Sequence, residues 1–291
     1  MITIKDLLEN ALIMAKKAKF SEPQLEVELL LGWVIKKPRA FIMAHGETKL
    51  SKTQIALFNR LLAKRLDNYS LAYITGHREF YGLDFLVNKH TLIPRPETEL
   101  LVETMLNDIK ACPSNKIIID IGCGSGCIMI SLAKNLSTKT NYFFGLDVSS
   151  GALKMTQTNA RKQKIKNYHI MKSDLLKSWL KKYQAKLKSY PLFIAANLPY
   201  LTPQQIASSP SIKHEPRLAL TAGNDGLKYY RQLFKQIKNI NQPLALYCEI
   251  DPRQKTNFKK LAKLILPKFS LQIKSDLAGL DRLMILKNFN S

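Results

Sequence analysis

Residues 116–126, KIIIDIGCGSG, constrain the fold more than any other stretch of the chain. A run of β-branched apolar residues reaches Asp120 and Ile121 and passes straight into Gly122, Gly124 and Gly126. β-Branched residues favour strands, and glycines are needed where a backbone turns tightly or approaches a ligand closely. The apolar pattern resumes at helical spacing over residues 128–135. The unit is a strand, a glycine loop and a helix. Beyond it, strand-sized runs at 142–148, 192–197 and 244–250 alternate with helical patterns at 150–164 and 227–240. Residues 270–286 offer two more strands around Ala278-Gly279. This alternation predicts an α/β fold with a doubly wound sheet, whose ligands bind beyond the carboxyl ends of the strands.

The acids around the loop discriminate among adenosine ligands. Asp147 ends the next strand, 25 residues after Gly122. A carboxylate there can accept hydrogen bonds from both ribose hydroxyls. A dinucleotide would bring an anionic pyrophosphate, and its fingerprint spaces the last two glycines by three residues, not two. Asp120, just before the loop, disfavours a diphosphate and favours a cation. S-Adenosyl-L-methionine carries an ammonium and a sulfonium and no phosphate, so it fits better than NAD. Asp174, after what reads as a third strand, could bond the adenine amino group, with a helix N-cap as the lesser alternative.

A second motif lies at Asn197-Leu198-Pro199-Tyr200, at the end of the 192–197 strand. The lone pair of an amide or exocyclic amine is delocalised, so such a nitrogen is a poor nucleophile. Two acceptors, the Asn197 side-chain carbonyl and the Leu198 backbone carbonyl, could hold its N–H groups. Pro199 restricts the backbone so that both point one way. Tyr200 offers a flat face to a planar group. In-line methyl transfer then gains much of its rate from positioning. Asn-x-Pro also marks ordinary strand-to-turn transitions.

The rest of the chain is organised around these motifs. Ile4, Leu7, Leu8, Ala11, Leu12 and Ala15 repeat at helical steps. Ser21 before Glu22-Pro23 reads as an N-cap of a second helix, with Trp33 in its core, and Ser51 caps another. Residues 1–75 therefore read as a helical bundle, 76–93 as a β-hairpin linker with aromatic residues around Gly82, and 94–291 as the catalytic domain. No run reaches the roughly 18 apolar residues of a membrane span, and no secretory leader is read, so a cytoplasmic protein is expected. Cys112, Cys123, Cys127 and Cys248 and the five histidines lack metal-ligand spacing, so no metal is expected. The net charge of +23 is compatible with attraction to RNA or the ribosome. Only 10 of the 45 basic residues are arginine, and they are scattered, which speaks against a dedicated nucleic-acid surface.

Further runs carry a resemblance. Ala72-Tyr73-Ile74-Thr75-Gly76, Glu79-Phe80-Tyr81-Gly82-Leu83-Asp84-Phe85 and Leu92-Ile93-Pro94-Arg95-Pro96-Glu97-Thr98-Glu99 join the glycine loop. Glu215-Pro216, Gly223-Asn224-Asp225-Gly226-Leu227 and Asp276-Leu277-Ala278-Gly279 follow. Together they resemble the PrmC/HemK family of release-factor glutamine methyltransferases over nearly the whole length. The resemblance implies a class I methyltransferase with a Rossmann-like seven-stranded sheet, behind an N-terminal helical domain that recognises the substrate. It implies methylation of the side-chain amide nitrogen (N5) of the glutamine in the Gly-Gly-Gln motif of class I peptide chain release factors. Carried over by position, Asp120, Gly122, Cys123, Gly124, Ser125, Gly126, Asp147, Asp174 and Leu175, with Asn197, would hold the cofactor. Asn197, Leu198, Pro199 and Tyr200 would hold the glutamine, with Arg95 and Glu97 shaping the mouth or forming a structural ion pair. Two departures stand out: Leu198 where the family usually has proline, and Asp251 where it usually has glycine. A ribosomal-protein glutamine, an rRNA or DNA adenine amine, and a non-catalytic RNA-binding role are the competing readings.

Overall fold

The apolar runs assemble into one seven-stranded sheet in the computed structural model, which describes residues 2–137 and 141–289. The chain divides into two units, Met1–Gly76 with Ser209–His214, and His77–Ser208 with Glu215–Ser291.

The first unit holds α1 (Ile4–Lys17), α2 (Pro23–Ile35), α3 (Arg39–Ala44), α4 (Lys52–Leu66) and α5 (Leu71–Thr75). Thr3 and Ser51 close capping boxes on α1 and α4. Ile4, Leu7, Ala11 and Ala15 meet Val27, Leu30, Leu31, Phe58 and Leu62 in its core. Two expectations are corrected. Ser21 is not the N-cap of α2: Glu22 holds that place without a side-chain cap. Trp33 is not core, being 45% exposed. The buried stripe of α2 runs through Val27, Leu30, Leu31 and Val34, so Trp33 shares the outward stripe with Leu29, four residues before it.

In the second unit a hairpin, β1 (His77–Phe80) and β2 (Leu83–Leu86), precedes α6 (Glu99–Ala111). Then follow β3 (Lys116–Ile121), α7 (Cys127–Asn135), β4 (Asn141–Asp147), α8 (Ser150–Lys162), β5 (Tyr168–Lys172) and α9 (Lys177–Leu187). The remainder is β6 (Leu192–Ala196), α10 (Pro203–Ala207), α11 (Lys228–Ile237), β7 (Leu244–Glu249), α12 (Lys255–Ile265), β8 (Ser270–Ser275) and β9 (Asp281–Lys287). The strand order is β5-β4-β3-β6-β7-β9-β8, with β9 antiparallel to both its neighbours. Alternate residues of β3 serve opposite faces. Ile117, Ile119 and Ile121 join Trp179 of α9, Phe234 of α11 and Phe258 of α12. Ile118 joins Val102 of α6, Ile130 of α7 and Ala160 of α8. Burial on both faces is why these strands read as continuous apolar runs. The chain runs outward from β3 through β4 to β5 and then returns to β6 on the other side. The resulting crevice, at the carboxyl ends of β3 and β6, is where such sheets bind ligands. Among the described residues no helix is long and apolar enough to cross a membrane.

Candidate active site

The glycine loop leaves β3 at this crevice. Gly122 and Cys123 donate their N–H groups to the Leu146 carbonyl at 2.7 and 3.0 Å, tying the loop to β4. Gly126 has φ +82°, and a Cβ there would lie 2.8 Å from Thr156 Cγ2, so both backbone and space demand glycine. A Cβ on Gly122 would stand 3.4 Å from a Leu198 methyl and 3.9 Å from the Asn197 carbonyl oxygen, which shows how closely the two motifs abut.

Between them lies a cavity of about 330 Å³. Of the residues singled out in the sequence, Arg95, Gly122, Cys123, Gly124, Ser125, Asp147, Asp174, Leu175, Asn197, Leu198 and Pro199 line it. Four do not. Gly126 opens α7 behind the loop. Asp120 lies beneath the loop, 1% exposed. Glu97 is exposed on the 3-10 turn before α6. Tyr200 turns inward and donates its hydroxyl to Glu249 Oε1 at 3.4 Å.

The acids differ in their surroundings. Asp120 Oδ2 accepts the Met129 N–H at 3.1 Å, while Oδ1 is buried without a partner. Burial raises its pKa to about 7, against the bond from Met129. Asp147 accepts N–H groups from Gly124 (3.0 Å) and Ser149 (2.8 Å), one on each oxygen. A carboxylate has about four acceptor sites, so both oxygens keep capacity for a ligand. Burial raises the pKa of Asp147 also. Asp174 does not cap α9; Ser173 Oγ accepts the Ser178 N–H there. Burial pushes the Cys127 thiol up to about 12 and that of Cys123 well above its ordinary value, so neither offers a thiolate. Among the described residues no group of His, Cys, Asp or Glu could hold a metal ion.

The Leu92–Glu99 run is a frame for the cavity wall. The Ile93 N–H and the Arg95 guanidinium both bond the buried Glu215 carboxylate. Thr98 Oγ1 donates to Glu249 Oε2 at 2.6 Å and accepts from Asn197 Nδ2 at 3.0 Å. Glu99 accepts the Tyr81 N–H at 2.8 Å. Thr98 and Glu249 were not singled out from the sequence, because their partners are far away along the chain. Asn159, also not singled out, binds the Leu86 N–H and C=O and the Ser125 C=O. Gly226 (φ +68°) lets the chain pass close to the Tyr200 carbonyl, which accepts from Gln254 Nε2 at 2.7 Å.

The sheet order, with its one reversed strand, and the loop at the switch point define a class I methyltransferase domain. A methyltransferase domain family matches residues 113–263, and the PrmC N-terminal domain family matches residues 6–76. The release factor glutamine methyltransferase of Moorella thermoacetica is 34% identical over 285 residues, covering 97% of each chain. That of Clostridium botulinum is 33% identical, covering 98% of this chain and 99% of its own. The N-terminal domain of human METTL16, solved with SAH, shares the fold at 16% identity with a TM-score of 0.52, covering 89% of this chain and 94% of that one. The chain belongs to the release factor glutamine methyltransferase family.

Proposed function

We propose that the chain uses S-adenosyl-L-methionine to methylate the side-chain amide nitrogen of the Gly-Gly-Gln glutamine in class I peptide chain release factors. The carrying observation is the commitment of Asn197 Nδ2 to Thr98, which leaves Oδ1 as the amide atom able to accept a substrate N–H. Family membership over nearly the full length supports the substrate, and the matched N-terminal domain supports a protein partner.

The cavity suits the cofactor. Asp147 has acceptor capacity for a diol, and glycines let the backbone approach closely, while Asp120 would act on the cofactor's charge only from beneath the loop. S-Adenosyl-L-methionine would supply an electrophilic methyl group on a cationic sulfur. Cys123, Ser125, Asp174 and Leu175 would line its adenosine, with Asn197 at the border between cofactor and substrate. The Asn197 Oδ1 and the Leu198 carbonyl would accept the two N–H groups of the substrate amide and turn its lone pair toward the methyl. No base is needed before transfer, because the nitrogen loses its proton only after it has become cationic. Tyr200 stands outside the cavity, with its hydroxyl on Glu249, and would brace the far end of the segment that holds the substrate. Arg95, held by Glu215, walls the mouth, and Glu97 lies exposed outside it.

Incubation with methyl-labelled cofactor and a recombinant release factor tests the reading. Label should enter the factor and vanish when its loop glutamine is replaced. Equal labelling of the replaced factor would overturn it. Label that enters RNA and survives protease would support an amine substrate.

A further inference from the structure

We propose that Thr98 and Glu249 are positioning residues that decide which way the Asn197 amide faces and so set the rate of methyl transfer. The inference rests on the function proposed above. An asparagine amide has two orientations of nearly the same shape, one presenting an acceptor to the cavity and the other a donor. Only the first can hold the N–H of a substrate amide.

Nothing in Asn197 itself selects between them; the selection comes from a relay. Glu249 is 3% exposed at the end of β7, and as a carboxylate it accepts and cannot donate. Its Oε2 lies 2.6 Å from Thr98 Oγ1, so the single Thr98 hydroxyl proton points at Glu249. That leaves Thr98 Oγ1 as an acceptor toward Asn197, 3.0 Å away, and the group facing it must be the NH₂. The carbonyl is thereby turned the other way. While Glu249 is ionised, the direction of every bond follows from the one member that cannot donate. The second carboxylate oxygen takes the Tyr200 hydroxyl at 3.4 Å, so one buried acid braces both ends of the Asn197–Tyr200 segment. Arg282 and Glu97 are the charged groups that bear on it, the first favouring and the second opposing its charge. Thr98 borders the cavity, whereas Glu249 acts from behind it.

Without the carboxylate, the threonine proton is free to point at Asn197, and the amide can flip to present a donor. Removal should therefore reduce turnover and leave cofactor affinity alone. The test uses the full chain, a release factor substrate and calorimetric cofactor binding, above pH 8, where the acid is ionised although burial raises its pKa to about 7. T98V keeps the shape and removes the relay. It should lower kcat by about 10- to 100-fold, with KM and cofactor Kd within about twofold of the parent. T98S, which keeps the hydroxyl, should recover kcat to within about threefold. E249Q, whose amide can donate as well as accept, should fall between T98V and the parent. Equal losses in T98V and T98S would reveal a packing role and overturn the inference. Unchanged kcat in T98V and E249Q would also overturn it. If T98V fails to fold, E249Q decides alone: a lowered kcat at unchanged cofactor Kd supports the relay, and an unchanged kcat refutes it. If the parent itself leaves the glutamine unlabelled, it is the proposed function that fails.

Discussion

Leu198 carries a backbone N–H that proline at this position would lack, and it comes within electrostatic reach of the fully buried Tyr230 hydroxyl. That hydroxyl reaches the Ala196 and Glu249 carbonyls at the ends of β6 and β7, so the base of the segment is tied to the sheet whichever residue stands at 198. Asp251 is accommodated without strain. Its φ of −70° does not call for glycine, and its carboxylate accepts the Arg253 N–H at 2.9 Å and caps the following turn. Asp120 is different, because its carboxyl pays a cost the fold does not relieve. Burial raises its pKa from 3.8 to about 7. Between those values the native state holds the proton and the unfolded state does not. Stability from this group is therefore present at low pH and falls as pH rises through that window. D120N removes the titration and keeps an acceptor for Met129. Its stability relative to the parent should rise from about pH 4 to about pH 7 and then level off. Urea unfolding of both proteins across this range measures the difference, and a flat difference would show that Asp120 is not held neutral.

At the scale of elements, the site depends on how the hairpin and the glycine loop are joined. Asn159 of α8 is fully buried and holds both the N–H and C=O of Leu86 on β2 and the C=O of Ser125, at 2.8, 2.9 and 2.9 Å. N159L keeps the volume but abandons three backbone groups. The expected loss is about 2–3 kcal/mol in urea unfolding, with faster hydrogen exchange at the Leu86 amide. A loss below about 0.5 kcal/mol with unchanged exchange would mean the clamp carries no weight. This clamp also shows the limit of reading sequence. The central strands were legible because burial on both faces writes them as apolar runs. The glycine loop was legible because positive φ and close packing at Gly126 admit few other residues. Helices α9 and α12 are harder to read, because four lysines in each eleven-residue helix break up the apolar stripes that Trp179, Leu180 and Tyr183, and Phe258, Leu261, Ala262 and Ile265, lay against the sheet. No role for Thr98 or Glu249 follows from the sequence, because a hydrogen bond spanning 151 residues leaves no periodic trace. Trp33 was misplaced because an apolar residue among leucines reads as core until the helix face is fixed.

Across the methyltransferase unit, the charge is unevenly distributed, which a linear count of lysines conceals. The layer of α9, α11 and α12 carries nine exposed lysines, at 177, 181, 182, 186, 228, 235, 259, 260 and 263, and no acid within those helices. On the opposite layer α6 alone carries Glu99, Glu103 and Asp108. Each helix buries its apolar stripe against the sheet, so its lysines face outward together. Lysine is a compact point charge without the planar fork of arginine, so this face suits diffuse attraction to a polyanion and not base-specific recognition. The expectation is weak, sequence-independent binding of single-stranded RNA that collapses with salt. Each neutralised phosphate contributes about 0.7 to the slope of log K against log salt. Replacing Lys177, Lys181, Lys182 and Lys186 with glutamate should lower that slope by up to about 3. Methylation of a release factor in the absence of RNA should persist, because none of these lysines lines the cavity. Fluorescence anisotropy with a short uridine oligomer, repeated over a range of salt, gives both affinity and slope. A parent whose binding ignores salt, or a variant whose slope equals the parent's, would leave the lysine layer as composition without a partner.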